Sequence, residues 1–257
     1  EDHNEPPEIL SSVAFNVREG GVVHEEYKLT TFGLPSGLVG YWALEEIGRK
    51  ILDVSGYGSH GYFYGDQNNI AEGNDGGMSF DFTDGTTILI PAENDNTVLA
   101  QSVISLSAWI FPRTFDFSGD YGIIAGRERA WLVGLQKETG HLKSSFSTSN
   151  TPSATSSDNC WQWQGNYKVM LKQWTHILVT YNNTGAYHYI NGALVDTYRC
   201  YGNLNVAPNP LHIGSRKGYP SSSNVGKSFF EGRIDNVIVF NKDLSQQEIM
   251  QVYSHQR

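Results

Sequence analysis

The stretch Phe230-Glu231-Gly232-Arg233-Ile234-Asp235-Asn236-Val237-Ile238-Val239-Phe240-Asn241 sets a carboxylate, Asp235, inside a run that reads as a buried β-strand. Ile234, Val237 and Val239 are β-branched, Phe230 and Phe240 are aromatic, and Gly232 marks a bend. The run is short and ends at Asn241-Lys242-Asp243, which favours a strand over a helix. A charge within an apolar strand is costly unless another group pairs with it or it coordinates a metal. Any fold of this chain must therefore supply Asp235 with a partner.

The rest of the chain has the same strand-and-turn character. Leu38 to Leu44, Met78 to Phe82, Thr87 to Ile90, Val103 to Phe111, Tyr121 to Ala125, Ala130 to Gln136 and His141 to Phe146 read as strands. So do Trp174 to Tyr181, Ala186 to Ile190, Ala193 to Thr197 and Leu211 to Gly214. Asn191-Gly192 between two of them is a hairpin signal, because both turn residues take φ > 0. Only Ser245 to Tyr253 reads as helix, with Ser245 and Glu248 as a capping box. Asp53 to Gly61 is a glycine-rich loop, and Ser147 to Asn159 is a long Ser/Thr-rich surface loop leading into Cys160-Trp161-Gln162-Trp163.

These elements predict an all-β fold: two antiparallel sheets packed face to face, with one short C-terminal helix. The 257 residues, 27 of them glycine, fit one such domain over residues 38–257. Residues 1–37 read as an N-terminal arm or linker with one strand at Val13 to Val17, belonging either to this fold or to a neighbouring domain.

Charge and cysteine content narrow the function classes. A net charge of −9 disfavours a nucleic-acid backbone binder and electrostatic docking on anionic lipid. No apolar run approaches the roughly 18 residues of a membrane helix. The chain opens at Glu1 without an apolar leader, which reads as a processed or trimmed product. Cys160 and Cys200 allow one disulfide, and Asn182-Asn183-Thr184 is a glycosylation sequon at Asn182. Together these predict a secreted or extracellular protein.

A series of short motifs resembles the laminin-G-like, concanavalin A-like jelly-roll family. They are Gly40-Tyr41-Trp42-Ala43-Leu44-Glu45-Glu46, Asp53 to Gly61, Leu106-Ser107-Ala108-Trp109-Ile110, Gln173-Trp174-Thr175-His176-Ile177, Tyr189-Ile190-Asn191-Gly192, Leu211-His212-Ile213-Gly214, Gly232 to Val237 and Asn241 to Ile249. They follow the family's order over roughly residues 38 to 254. The insertion between Phe146 and Trp174 is longer than the family usually needs, so the resemblance implies nothing about its role.

The resemblance implies a structural calcium held by Asp53, backbone carbonyls near Gly58 and His60, and Asp235. Calcium takes roughly six to eight oxygens, and a turned-in loop with two carboxylates supplies most of them. The alternative is that loop amides satisfy Asp235 without a metal.

Two surfaces are candidates for function. Trp161, Trp163, Tyr167, Tyr201 and Tyr219, beside Asp158, Asn159, Asn203 and Asn205, suit sugar binding: aromatic faces stack on rings while amides and carboxylates bond hydroxyls. The alternative is that Trp161 and Trp163 only pack the insertion against the body. A polysaccharide lyase acting on a uronate polymer would instead draw its cations and base from Arg127, Arg129, His141, Lys143, His188 and Tyr189. No paired-carboxylate glycosidase motif, Walker loop, zinc-spaced set or nucleophile elbow is present.

The expectation is a secreted, calcium-stabilised jelly-roll module that binds a glycan or other extracellular ligand without catalysis. The alternatives are the lyase and a structural adhesion domain with protein partners.

Overall fold

A computed structural model describes residues 31, 33–46, 48–65, 69–92, 103–150, 160–207, 209–216 and 228–255, with the backbone of four short strands before them. Those four are β1 (Val13–Phe15), β2 (Arg18–Glu19), β3 (Val22–Val23) and β4 (Tyr27–Leu29). β1 pairs with β4 and β2 with β3, in ladders separate from the main sheets.

The body begins with β5 (Leu38–Trp42), β6 (Lys50–Ile51), β7 (Gly61–Tyr64), β8 (Ile70–Glu72), β9 (Met78–Phe82) and β10 (Thr87–Ile90). It continues through β11 (Ile104–Pro112), β12 (Tyr121–Arg127), β13 (Trp131–Gln136), β14 (Leu142–Phe146) and β15 (Thr175–Tyr181). The last elements are β16 (Gly185–Ile190), β17 (Ala193–Arg199), β18 (Leu211–Ile213), β19 (Gly232–Phe240) and the helix α1 (Gln246–His255). One sheet has the order β14-β13-β12-β18-β10-β7-β6; the other runs β17-β16-β15-β11-β19-β9-β8, with β5 also on β19. Every pairing among them is antiparallel.

Strand alternation explains where the core sits. Successive side chains of a strand point to opposite faces, so Phe63, Ile88, Ile213, Ala125, Val133 and Ser144, aligned by register, line the inner face of the first sheet. Ile177, Val179, Tyr181, Ile190 and Ile234 line that of the second and close on them in one buried cluster. A second apolar cluster lies on the outer face of the second sheet, where Leu178, Tyr189, Ile238 and Phe240 pack under Ile249 and Val252 of α1. Ser245 and Glu248 form the expected capping box, the Ser245 N–H donating to Glu248 Oε2 at 3.0 Å and the Glu248 N–H to Ser245 Oγ at 3.4 Å.

The Asn191-Gly192 hairpin forms as expected, with φ of 50° and 79°. Asn191 does a second job: its Oδ1 accepts the His176 N–H at 3.0 Å. β6, β7 and β8 are strands that the hydrophobic pattern does not announce, because each spans two to four residues among glycines and polar groups.

Candidate functional sites

Asp235 sits at an irregularity in the longest ladder. β11 and β19 pair in step from Ser105↔Phe240 to Ser107↔Ile238, then shift so that Trp109 faces Asp235. The extra residue is accommodated at Asn236, which takes φ 50° where such bulges ordinarily use glycine. The bulge turns both side chains toward the Gly73–Gly77 turn. Asp235 Oδ2 accepts the Asn74 N–H at 3.0 Å; Asn236 Nδ2 donates to Asn74 Oδ1 at 3.3 Å, and its Oδ1 accepts the Tyr41 hydroxyl at 2.8 Å.

The turn lies directly on the carboxylate. A Cβ on Gly73 would stand 2.6 Å from Asp235 Oδ2, and one on Gly77 would stand 2.5 Å from Glu45 Oε1 and 3.0 Å from Asp75 Oδ1. Glu45 Oε2 accepts the Met78 N–H at 2.9 Å, and Asp75 Oδ1 accepts the Gly77 N–H at 2.8 Å. Asp235 Oδ1 is buried with no hydrogen-bond partner. Burial first, then the charges of Asp75 and Glu45, push the Asp235 carboxyl well above the usual range. Burial likewise raises Glu45 to about 7, with Asp75 adding to it.

The hydrogen bonds of the expected partner loop run elsewhere. Asp53 Oδ1 accepts the N–H groups of Tyr41 and Ser55, both at 2.9 Å, and its Oδ2 that of Ser59 at 2.8 Å. The Gly58 carbonyl accepts the His60 N–H, and His60 Nδ1 accepts the Asp53 N–H. The loop therefore satisfies itself, and Asp53, Gly58 and His60 are not gathered with Asp235. Tyr41 spans the gap, its N–H on Asp53 and its hydroxyl on Asn236. Among the described residues no group of three or more His, Cys, Asp or Glu side chains is placed to hold a metal ion.

The long insertion builds the second site. Its Cys160–Val169 segment runs along the β14 edge of the first sheet. Phe146 N–H donates to the Cys160 carbonyl at 2.7 Å, Ser144 and Gln164 exchange N–H···O bonds, and Leu142 N–H donates to the Tyr167 carbonyl at 2.8 Å. Cys160 and Cys200 form a disulfide with Cα atoms 5.2 Å apart. It brings their successors, Trp161 and Tyr201, to the same end of β14. The Trp161 carbonyl accepts Ser145 Oγ at 2.7 Å, and the Tyr201 carbonyl accepts Thr148 Oγ1 at 2.8 Å. Trp161 is half-buried, and Tyr201 and Tyr167 are exposed.

Trp163 stacks on Tyr121 with ring centroids 4.1 Å apart, so it packs the segment onto the sheet's outer face. Asn205 Nδ2 is engaged by Ser147 Oγ and the Thr148 carbonyl, and the Asn203 N–H by Ser149 Oγ. Asp158, Asn159 and Tyr219 lie outside the described residues.

The residues named for a lyase are dispersed. His188 and Tyr189 are adjacent on β16 and so point to opposite faces. His188 lies in the interior against Ser144 Oγ, 2.7 Å from Nε2, and Tyr189 lies under α1. Burial holds His188 down at about 4, and its Nδ1 has no partner. Gly165 covers it: a Cβ there would be 2.5 Å from His188 Cε1. Arg127 is buried, donating to the carbonyls of Ala207 and Asn209 at 3.3 and 3.0 Å. Arg129 is exposed in the β12–β13 turn at φ 63°. His141 and Lys143 belong to the β14 edge, where burial lowers the Lys143 pKa.

At the sequon, Asn182 Nδ2 donates to Asp243 Oδ2 at 2.9 Å, and its Oδ1 accepts Thr184 Oγ1 at 2.7 Å. Among the described residues no helix is long and apolar enough to cross a membrane.

Comparison with solved structures gives the same sandwich. Domain 4 of AbnA, an extracellular arabinanase from Geobacillus stearothermophilus solved with arabinotriose, is 18% identical with a TM-score of 0.59, over 84% of this chain and 98% of that one. The binding domain of botulinum neurotoxin DC in complex with SialylT is 14% identical with a TM-score of 0.61, over 86% of this chain. This chain spans 51% of that domain's length. A Trypanosoma rangeli sialidase solved with 2,3-difluorosialic acid is 15% identical with a TM-score of 0.55, over 85% of this chain and 33% of that one. At these identities the likeness is one of fold. No curated protein sequence matches the chain. The profile of the Concanavalin A-like lectin/glucanases superfamily matches residues 65–250, and the chain belongs to that family.

Proposed function

We propose that the chain is an extracellular, non-catalytic module that binds carbohydrate along the β14 edge and is stabilised by calcium at Asp235. The observation that carries the binding reading is the placement of Trp161 and Tyr201. The disulfide brings both to the same end of β14, Trp161 on the segment hydrogen-bonded to β14 and Tyr201 just after β17, with Trp161 half-buried and Tyr201 exposed. A fixed, partly exposed aromatic pair gives sugar-ring stacking at low entropic cost. Arabinotriose and SialylT complexes of proteins with this fold are consistent with that use. The disulfide and the Asn182 sequon support an oxidising, extracellular setting, where Asn182 would carry a glycan.

Binding without chemistry is supported by the burial of His188 and Arg127 and by the opposed faces of His188 and Tyr189. Incubation with polygalacturonate tests this: no rise in ultraviolet absorbance is expected, and unsaturated product would overturn it.

The calcium reading is placed at Asp235 rather than at Asp53, on side chains that would have to close on the ion. Asp235 Oδ1 is a buried carboxyl oxygen without a hydrogen-bond partner, and the neighbouring Glu45 and Asp75 make the donor set all-oxygen, as a hard cation requires. Asp235, Glu45 and Asp75 would hold the ion. Bound there, calcium supplies the positive charge that keeps these carboxyls ionised in the interior. Metal analysis of dialysed protein, with melts in chelator, tests it; no bound calcium and no melt shift would remove the ion from the account.

For the binding reading, a printed glycan array comparing the intact chain with Trp161→Ala/Tyr201→Ala is decisive. Loss of a glycan signal in an equally stable variant is expected.

A further inference from the structure

We propose that Tyr62 and Tyr64 of β7, with Lys50 of β6, form a second carbohydrate surface, which takes uronate-bearing oligosaccharides. It lies on the same outer face of the first sheet as Trp163 but at the opposite end. The register fixes the face: Phe63 points inward opposite Ile88, so Tyr62 and Tyr64 point outward. They are 45% and 46% exposed, in a chain whose other strand aromatics are mostly buried. Two residues apart on one strand, the rings are spaced by about 6.7 Å along it. That spacing offers consecutive platforms to a linear oligosaccharide.

The charge beside them selects the sugar class. Lys50 is the cross-strand partner of Tyr62 and shares its face, and both Lys50 and Arg49 are exposed. Two exposed cations next to aromatic faces are an unusual local balance on a chain of net charge −9. A neutral sugar would use the tyrosines alone; a carboxylated ring stacked on Tyr62 would also meet the Lys50 ammonium. The outward row continues from Tyr62 to Leu89 and then the buried His212, which backs the platform with a packed wall. The surface is five strand steps from β14, roughly 24 Å. It does not depend on Trp161 or Tyr201, so the two readings fail separately.

The test is calorimetric titration of the intact chain with a short oligogalacturonate, and with a neutral galacto-oligosaccharide as control. The oligogalacturonate is expected to bind more tightly than the control, and more weakly as salt rises. Tyr62→Ala/Tyr64→Ala should weaken it about tenfold or more. Lys50→Glu, at an exposed position that does not threaten folding, should weaken it at least as much and abolish the preference over the neutral sugar. Trp161→Ala/Tyr201→Ala tells the two surfaces apart: loss of oligogalacturonate binding in that variant but not in Tyr62→Ala/Tyr64→Ala would place the sugar on the β14 edge and overturn the proposal. No binding of oligogalacturonate, or binding indifferent to Lys50→Glu, would overturn the proposal.

Discussion

Asp235 Oδ2 accepts the Asn74 backbone N–H at 3.0 Å, while Oδ1 stays unpartnered in the interior. A residue 161 positions away in sequence thus holds the carboxylate in place without neutralising it. In calcium-free buffer at neutral pH, Asp235→Asn should raise stability by about 1–3 kcal/mol, because it keeps the shape while removing the cost of either burying the charge or taking up a proton to neutralise it. The same change should erase any calcium-dependent rise in melting temperature. Chemical denaturation with and without calcium measures both effects, and a variant that still responds to calcium would count against Asp235 as ligand.

Gly73 makes the close approach of the turn sustainable. A Cβ there would meet Asp235 Oδ2 at 2.6 Å and the Met78 carbonyl at 2.7 Å. Gly73→Ala should cost about 1–3 kcal/mol, as overpacking does elsewhere, and lower calcium affinity as well. Gly76→Ala is the control for the turn: nothing stands within 4 Å, although its φ of 88° carries its own strain.

How far these features were legible depends on their length in the chain. β11, β15 and β19 announce themselves by β-branched and aromatic residues over seven to nine positions. The Asn191-Gly192 turn and the Ser245/Glu248 cap were readable from local chemistry alone. Asp235 is recognisable in the sequence as a charge in need of a partner, but its hydrogen bond to the Asn74 backbone is not. Asp53 to Gly61 looked like a carbonyl cradle, and sequence does not show that its own amides consume Asp53. The signal for the true neighbour was present in Gly73-Asn74-Asp75-Gly76-Gly77, a dense turn cluster before β9, and in Glu45-Glu46 after β5. The opposed directions of His188 and Tyr189 follow from strand alternation itself, a stronger constraint than their residue types. The tyrosines of β7 carry no such signal in the sequence, because a four-residue strand has no period to measure.

The Cys160–Cys200 bond should be a large single contributor to the insertion's order. Cys160→Ser/Cys200→Ser is expected to cost about 2–4 kcal/mol and to shift tryptophan emission to longer wavelength as Trp161 loosens. Denaturant melts followed by fluorescence read both changes together. Equal stability and unchanged emission would show that β14 pairing alone holds the segment.

His188 gives the fold an acid limit. Its pKa falls from an unfolded value near 6.5 to about 4, chiefly through burial, so the unfolded chain binds more protons between those values. This contribution to stability is therefore complete above pH 6.5 and is lost progressively as pH drops toward 4, up to about 3 kcal/mol. The difference between wild type and His188→Gln across pH 7.5 to 4.5 isolates it from the carboxylates. The variant should be less stable at pH 7.5, having lost the Ser144 contact geometry, but should show a shallower decline.

The central claim is that a fixed aromatic pair on the β14 edge binds sugar. Its most direct test is the glycan array with the intact chain beside Trp161→Ala/Tyr201→Ala, both checked for equal melting temperature. At least one oligosaccharide class is expected to bind, with a signal that falls tenfold or more in the variant, about 1.4 kcal/mol or greater. A chain that binds no glycan, or whose glycan binding ignores both substitutions, would contradict it.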